Sequence, residues 1–152
     1  MRSGSLSRSG TIRATLSKLT TIAAAAALTG CMMFAKPPQT LDYSRTRTSE
    51  GGAYRATIRP QGDSIPKGKL QRWTLHLETA TGAPVDSATI AVDGGMPQHG
   101  HGLPTKPLVT RQLGNGDHLV EGMKFNMGGW WVVKFRVNAA QGSDSVVFNL
   151  KL

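Results

Sequence analysis

Two histidines and a methionine lie close together in the glycine-rich segment Gly94 to Pro104. A neutral imidazole offers one nitrogen lone pair to an ion, and a single residue separates His99 from His101, so both rings can reach the same ion. Met96 adds a thioether sulfur from the same segment. Imidazole and thioether together suit copper, and Cu(I) in particular, better than magnesium or calcium. The segment therefore predicts a copper site, and its glycines permit close approach of another group.

A second pair of methionines, Met123 and Met127, flanks Phe125 further along the chain. Met127 stands beside a glycine pair at the predicted end of a strand and is expected to face the histidines. Met123 is the weaker candidate ligand, because methionine commonly fills gaps in a core. The alternative interpretation of the first segment is a glycine-rich turn in which His99 and His101 are exposed and respond to pH.

The sequence contains no motif for an activated serine, a zinc protease or a phosphate-binding loop. Cys31 is the only cysteine, and the residues before it, described below, resemble a lipidation signal, which would leave no thiolate for a blue-copper centre. We therefore expect a protein that is not an enzyme. Two classes remain: a module that binds or delivers copper, with a copper-handling protein as its partner, and a structural or partner-binding lipoprotein that binds no metal.

The N-terminal residues have the pattern of a secretory signal, in which four cations and no acid precede an alanine-rich run. That run, residues 22–28, is far shorter than the roughly 20 residues needed to span a bilayer. Leu28-Thr29-Gly30-Cys31 resembles the lipobox of bacterial lipoproteins, which implies a signal peptide at residues 1–30 and a lipid on Cys31 that anchors the protein to a membrane. Because Met32 rather than aspartate follows the cysteine, the resemblance implies the periplasmic side of the outer membrane within the cell envelope.

Charge argues against a nucleic-acid partner. The whole chain carries 18 Lys+Arg and 9 Asp+Glu; without the four cations of the signal, 14 cations and 9 acids remain, a net charge of +5. These cations are scattered along the sequence, whereas nucleic-acid binding requires a concentrated basic surface.

Residues 31–52 form the predicted lipidated N-terminus and flexible linker, because they are rich in Pro, Ser, Thr and Arg and show no period. From residue 53 to residue 152 apolar residues alternate with polar ones, which is typical of strands with one buried face. About seven short strands with frequent turns predict an all-β domain, an immunoglobulin-like β-sandwich. We expect Trp73, Trp131 and Phe135 in its core, and His76 and His118 on its surface.

The segments VDGGMPQHGHGLPTKP and EGMKFNMGGWWVVKF resemble the YtkA-like family, also described as FixH-like, of small exported or membrane-anchored bacterial proteins. The shared pattern is a Met/His-Gly loop followed by Phe125, Met127, Gly129 and Trp131. The resemblance covers residues 54–152 and implies an immunoglobulin-like sandwich with a suspected role in copper handling. Some relatives have methionine where this chain has Gln98-His99, so a site made of methionine alone is not expected.

Overall fold

The structure is a computed structural model that describes residues 37–152. Its strands are β1 (Thr46–Thr48), β2 (Tyr54–Pro60), β3 (Gln71–Thr79), β4 (Ala88–Met96), β5 (His101–Gly102), β6 (Leu108–Gly114), β7 (Asp117–Met123), β8 (Trp130–Ala139) and β9 (Gly142–Lys151). One turn of 3-10 helix, Pro97–His99, joins β4 to β5. The predicted signal peptide and Cys31 lie outside the described residues.

All nine strands belong to one antiparallel sheet in the order β1-β2-β3-β7-β6-β4-β8-β9, with β5 paired to β4. The sheet curls until its two ends meet. A hydrogen bond of 2.8 Å shows this closure: the N–H of Glu50, just after β1, donates to the carbonyl of Ser145 on β9. Seven strands have seven or more residues, and they occupy the segments in which the sequence alternates. The all-β fold of the β-sandwich, immunoglobulin-like class is therefore confirmed.

The core lies between the inner faces of the curled sheet. Trp73, Trp131 and Phe135 are each at most 1% exposed, so the predicted core aromatics are confirmed. Trp131 packs edge-on against Phe125 with ring centroids 5.2 Å apart, and Phe125 lies 5.8 Å from Trp73. This row of rings extends the core toward β5, because Trp131 also contacts the ring of His101 on β5.

Three details differ from the sequence-based expectations. Residues Thr46–Thr48, assigned to the flexible linker, form β1 and pair with β2. Gly94 to Met96, assigned to a loop, continue β4 and pair with β8 and β5. The surface position predicted for His118 is wrong: it is 0% exposed, and its Nε2 lies 2.7 Å from the Val85 carbonyl oxygen. His118 is the first inward-facing residue of β7. In the sequence it stands next to a turn, and this position leads to the wrong prediction that it is exposed.

Between residues 37 and 152, no helix is both long enough and apolar enough to cross a bilayer.

Candidate metal-binding site

The predicted copper ligands lie on the tight turn between β4 and β5. Pro97, whose φ is fixed near −65°, starts the 3-10 turn, and Gly100 closes it in the left-handed conformation with φ of 64°. The chain then folds back on β4, so that Gly95 pairs with Gly102 and Met96 pairs with His101. Side chains that are directly opposite in an antiparallel pair share one face of the sheet. The turn therefore places Met96 and His101 opposite each other on paired strands.

Gly94 and Gly95 make this turn possible by their lack of a side chain. A Cβ on Gly95 would lie 2.3 Å from the His101 carbonyl oxygen, and one on Gly94 would lie 2.3 Å from the Val132 carbonyl oxygen. Both obstacles are backbone atoms of neighbouring strands. The glycine pair thus lets β5 and β8 approach β4 on its two sides, which is a close approach of the kind the sequence predicts.

The two imidazole rings stack on each other at the outer surface of the turn. Their centroids are 5.8 Å apart and their planes differ by 25°. His101 also meets the edge of Trp131, with centroids 5.6 Å apart. Its Nδ1 lies 3.0 Å from the Gly102 carbonyl oxygen, which only accepts, so Nδ1 donates. In the neutral ring the lone pair is then on Nε2, the atom available to an ion.

Met96 lies on the inner side of the turn, in the core. The residue is 1% exposed, and a Cβ built on Gly129 would lie 2.5 Å from its terminal methyl carbon. Gln98 helps to hold this arrangement, because its side-chain oxygen accepts from the Trp130 N–H at 3.4 Å. The thioether group therefore packs against Gly129.

The remaining two methionines differ in position. Met127 lies in the segment between β7 and β8, is 37% exposed, and its carbonyl oxygen accepts from the Trp131 Nε1 at 3.0 Å. It therefore shares Trp131 with His101 as a common neighbour. Met123 is 0% exposed at the end of β7, where it fills the core.

A shallow cavity of about 380 Å³ adjoins the turn. Met96, His101, Asp93 and Lys134 are among its lining residues. Asp93 is also bound to Arg136 at 3.0 Å, so the charges beside the turn are largely balanced. Among residues 37–152, no group of three or more His, Cys, Asp or Glu side chains is placed to hold a metal. A site at this turn must therefore combine two imidazoles with thioether sulfur.

Two residues of this site, Trp131 and Gln98, are not predicted by the sequence to take part in it. Alternation along β8 places Trp131 in the core, but its contact with His101 depends on how β5 folds over β4, which no local pattern encodes.

Comparisons with known proteins agree with the sequence resemblance. The profile of the YtkA-like family matches residues 52–136, more than half of the chain. The chain belongs to the YtkA-like family. The match includes the histidine turn, Met123, Met127 and β8 as far as Arg136, and it ends before β9.

A solved structure titled ZirS C-terminal Domain resembles this YtkA-like chain with a TM-score of 0.39 and 12% identity, over 98% of this chain and 100% of that chain. No curated protein matches the chain.

Proposed function

We propose that this YtkA-like protein binds copper at the β4–β5 turn and stores or delivers it in the cell envelope. The observation that supports this most is the pairing of β4 with β5, which sets Met96 opposite His101 while His99 stacks on the His101 ring. Residues opposite each other in an antiparallel pair have Cβ atoms about 4.5–5.5 Å apart. Three residues whose side chains carry donors that copper favours thus lie on one turn, and the proposal is that they bind one ion.

The two histidines are the primary ligands. Metal–imidazole bonds are about 2.0–2.1 Å long, so two nitrogens on one ion are about 3–4 Å apart. The ring centroids of His99 and His101 are 5.8 Å apart, and the proposal requires one nitrogen of each ring to come within that shorter distance of the other. Because the His101 Nδ1 donates to Gly102, the ring approaches the ion through Nε2.

The thioether ligand comes from one of two sides. Met96 reaches the ion if its side chain turns from Gly129 toward His101. Met127 reaches it from the solvent side, because it is partly exposed and its backbone is tied to Trp131 beside His101. A buried Met96 and an exposed Met127 predict different effects on substitution, so each can be tested separately.

The proposed location and anchoring depend on the N-terminal sequence. A signal peptide cleaved before Cys31 and a lipid on its thiol would hold the domain at the periplasmic side of the outer membrane. Stable anchoring requires more than one acyl chain. A copper-handling protein is the proposed partner, and we propose no enzymatic activity and no nucleic-acid partner.

The test is a Cu(I) titration of the full chain under anaerobic reducing conditions, in competition with a coloured Cu(I) chelator. Wild type should bind one equivalent, and the variant with both His99→Ala and His101→Ala should bind none. The matched control is His76→Ala, which removes a histidine on β3 that is bound to Asp117 at 2.7 Å and should bind as wild type does. Affinity should fall in acid, because imidazoles must be neutral to bind a metal ion.

Binding unchanged in the double histidine variant would contradict the site. Binding that persists in acid and is lost in Met127→Leu would move the ligand set to the methionines, since thioethers do not titrate. No binding of Cu(I) or Cu(II) would favour the alternative, an immunoglobulin-like lipoprotein whose turn contacts another protein.

A further inference from the structure

A groove of about 630 Å³ crosses the outer face of β2, β3, β7 and β6. Thr74 and Leu119, which pair across β3 and β7, form its floor. They alternate with the core residues Trp73 and Val120, so the groove lies on the opposite side of the sheet from the core. We call it the Arg111 groove, after the cation that β6 contributes to its wall.

The Arg111 groove is positively charged. Arg59, Arg72 and Arg111 line it, and Glu121 is the one carboxylate among its lining residues. A hydrogen bond from Thr110, followed by one from Arg72, lowers the pKa of Glu121, so it stays ionised. The lining therefore has two more positive than negative charges at neutral pH.

Ion pairs fix the positions of two of these arginines and leave much of their surface open. Arg72 donates to Glu121 at 2.7 Å, and Arg59 lies 3.3 Å from Asp117. Their side chains are still 64% and 53% exposed. An arginine held in this way retains further N–H donors in a planar fork that fits a carboxylate.

The groove continues into a second depression of about 470 Å³, with which it shares Gln61, Arg72 and Glu121. Lys69 and Leu70 line this extension, and Leu70 is 68% exposed. At the other end Leu113, on β6, is 48% exposed. The whole surface is elongated, with cations along its length and an exposed leucine at each end.

We propose that the Arg111 groove and its extension bind an extended, acidic segment of a partner protein. Carboxylates of the segment would pair with Arg59, Arg72 and Arg111 through charge-assisted hydrogen bonds. Its apolar side chains would pack against Leu113 and Leu70. A concave, partly apolar surface with a few fixed charged groups is typical of a specific binding site.

Charge and shape favour this occupant over others. A symmetric dimer formed through this face would bring one positive groove against another, which is repulsive. A bilayer is bound by apolar side chains that protrude, whereas Leu119 lies on the floor of a concavity. A polyanionic carbohydrate would leave Leu70 and Leu113 without apolar contacts.

The groove shares no residue with the histidine turn, so the proposal does not depend on copper binding.

The test measures binding of a fluorescent peptide of about 10 alternating Glu and Leu residues, about 33 Å long when extended, to the full chain. The comparison peptide has Gln in place of every Glu. Arg111→Gln is the test variant. Arg55→Gln is its matched control, because it removes the same charge from an exposed position of the outer face of β2 that does not line the groove.

We expect the acidic peptide to bind wild type and Arg55→Gln equally, and Arg111→Gln about fivefold more weakly. The double variant Arg59→Gln, Arg111→Gln should bind about tenfold more weakly or worse, and added salt should weaken binding to wild type. The Gln peptide should bind more weakly than the Glu peptide.

Equal loss in Arg55→Gln and Arg111→Gln would overturn the proposal, because it would show attraction to net charge alone. Equal binding of the Gln peptide would overturn it as well. Preferential binding to phosphatidylglycerol vesicles, abolished by Arg111→Gln, would assign the groove to a membrane surface. Concentration-dependent dimers abolished by Arg111→Gln would assign it to a second copy.

Discussion

Two tight turns of the domain, β4–β5 and β6–β7, both depend on glycine, but for different reasons. In the β6–β7 hairpin Asn115 and Gly116 have φ of 54° and 78°, the positive values that a two-residue type I′ turn requires. In the β4–β5 turn Gly95 is required because the His101 carbonyl oxygen occupies the space a Cβ would need. One turn is specified by local dihedral preference and the other by a close approach.

This difference decides which turn the sequence can position. Gly114 to Asp117 has the composition of a hairpin turn, a local signal, and the hairpin is present between β6 and β7. The glycines near His99 indicate a close approach without saying which group approaches. The structure identifies that group as the backbone of β5, so the histidines are arranged by tertiary pairing.

The largest predicted effect tests whether the core supports the histidine turn. Trp131 is 0% exposed and lies against both His101 and Phe125. Trp131→Ala should lower the free energy of unfolding by about 3–5 kcal/mol, measured by urea denaturation with circular dichroism. Hydrogen exchange should rise more in β5 than in the β6–β7 hairpin. Trp130→Ala, at a half-buried neighbour, is the control; an equal loss there would contradict the supporting role of Trp131.

The next effect tests the close approach itself. Gly95→Ala places a methyl group against backbone, so it should destabilise the protein by about 1–3 kcal/mol and abolish copper binding. Gly102→Ala is the matched control, because the nearest atom to its Cβ would be 3.5 Å away; its stability should stay within about 0.5 kcal/mol of wild type. Thermal unfolding and the Cu(I) titration measure both. Equal behaviour of the two variants would show that close approach does not define the turn.

Much of the fold follows from the sequence because a buried face has period two. The alternation of Trp73-Leu75-Leu77 and of Trp131-Val133-Phe135 reports directly which side chains face inward. His118 is predicted wrongly because a single polar residue beside a turn is normally exposed. Its ring is in fact buried, and its Nδ1 has no hydrogen-bond partner. Burial of a polar residue depends on what packs over it, here Val85 from a distant segment.

The candidate site was only partly predictable for the same reason. His99 and Met96 are close in sequence, and a local pattern is enough to group them with His101. The stacking of the two rings, the contact with Trp131 and the hydrogen bond to Gly102 depend on the pairing of β5 with β4. The Arg111 groove has no local signal, because its cations come from three strands that are distant in sequence.

A third connection, between β1 and β2, differs from both turns because a side chain from another strand stabilises it through hydrogen bonds. Asp144 on β9 accepts from the Gly51 N–H at 2.9 Å and from the Ala53 N–H at 3.2 Å. A hydrogen bond from the Ser49 side chain, followed by those backbone bonds, outweighs burial and lowers the pKa of Asp144 to about 2. Asp144→Asn should therefore reduce stability by about 1–2 kcal/mol at neutral pH.

The pH dependence of that prediction has a definite sign. Because the folded pKa of Asp144 lies below its ordinary value of 3.8, its contribution is complete above about pH 5 and is lost as pH falls toward about 2. Wild type and Asp144→Asn should thus differ at pH 7 and converge near pH 2 in urea denaturation. A difference that is constant with pH would show that the charge of Asp144 does not hold this connection.

The smallest effect separates dihedral strain from close approach within the histidine turn. Gly100 has φ of 64°, and nothing lies within 4 Å of the position of its Cβ. Gly100→Ala should therefore destabilise the protein by about 1 kcal/mol, the strain of a left-handed residue, without displacing β5. Thermal unfolding should show this modest loss, while Cu(I) affinity stays within about twofold of wild type, because no histidine moves. Loss of copper binding in Gly100→Ala equal to that in Gly95→Ala would mean that the conformation at Gly100, like space at Gly95, positions the imidazoles.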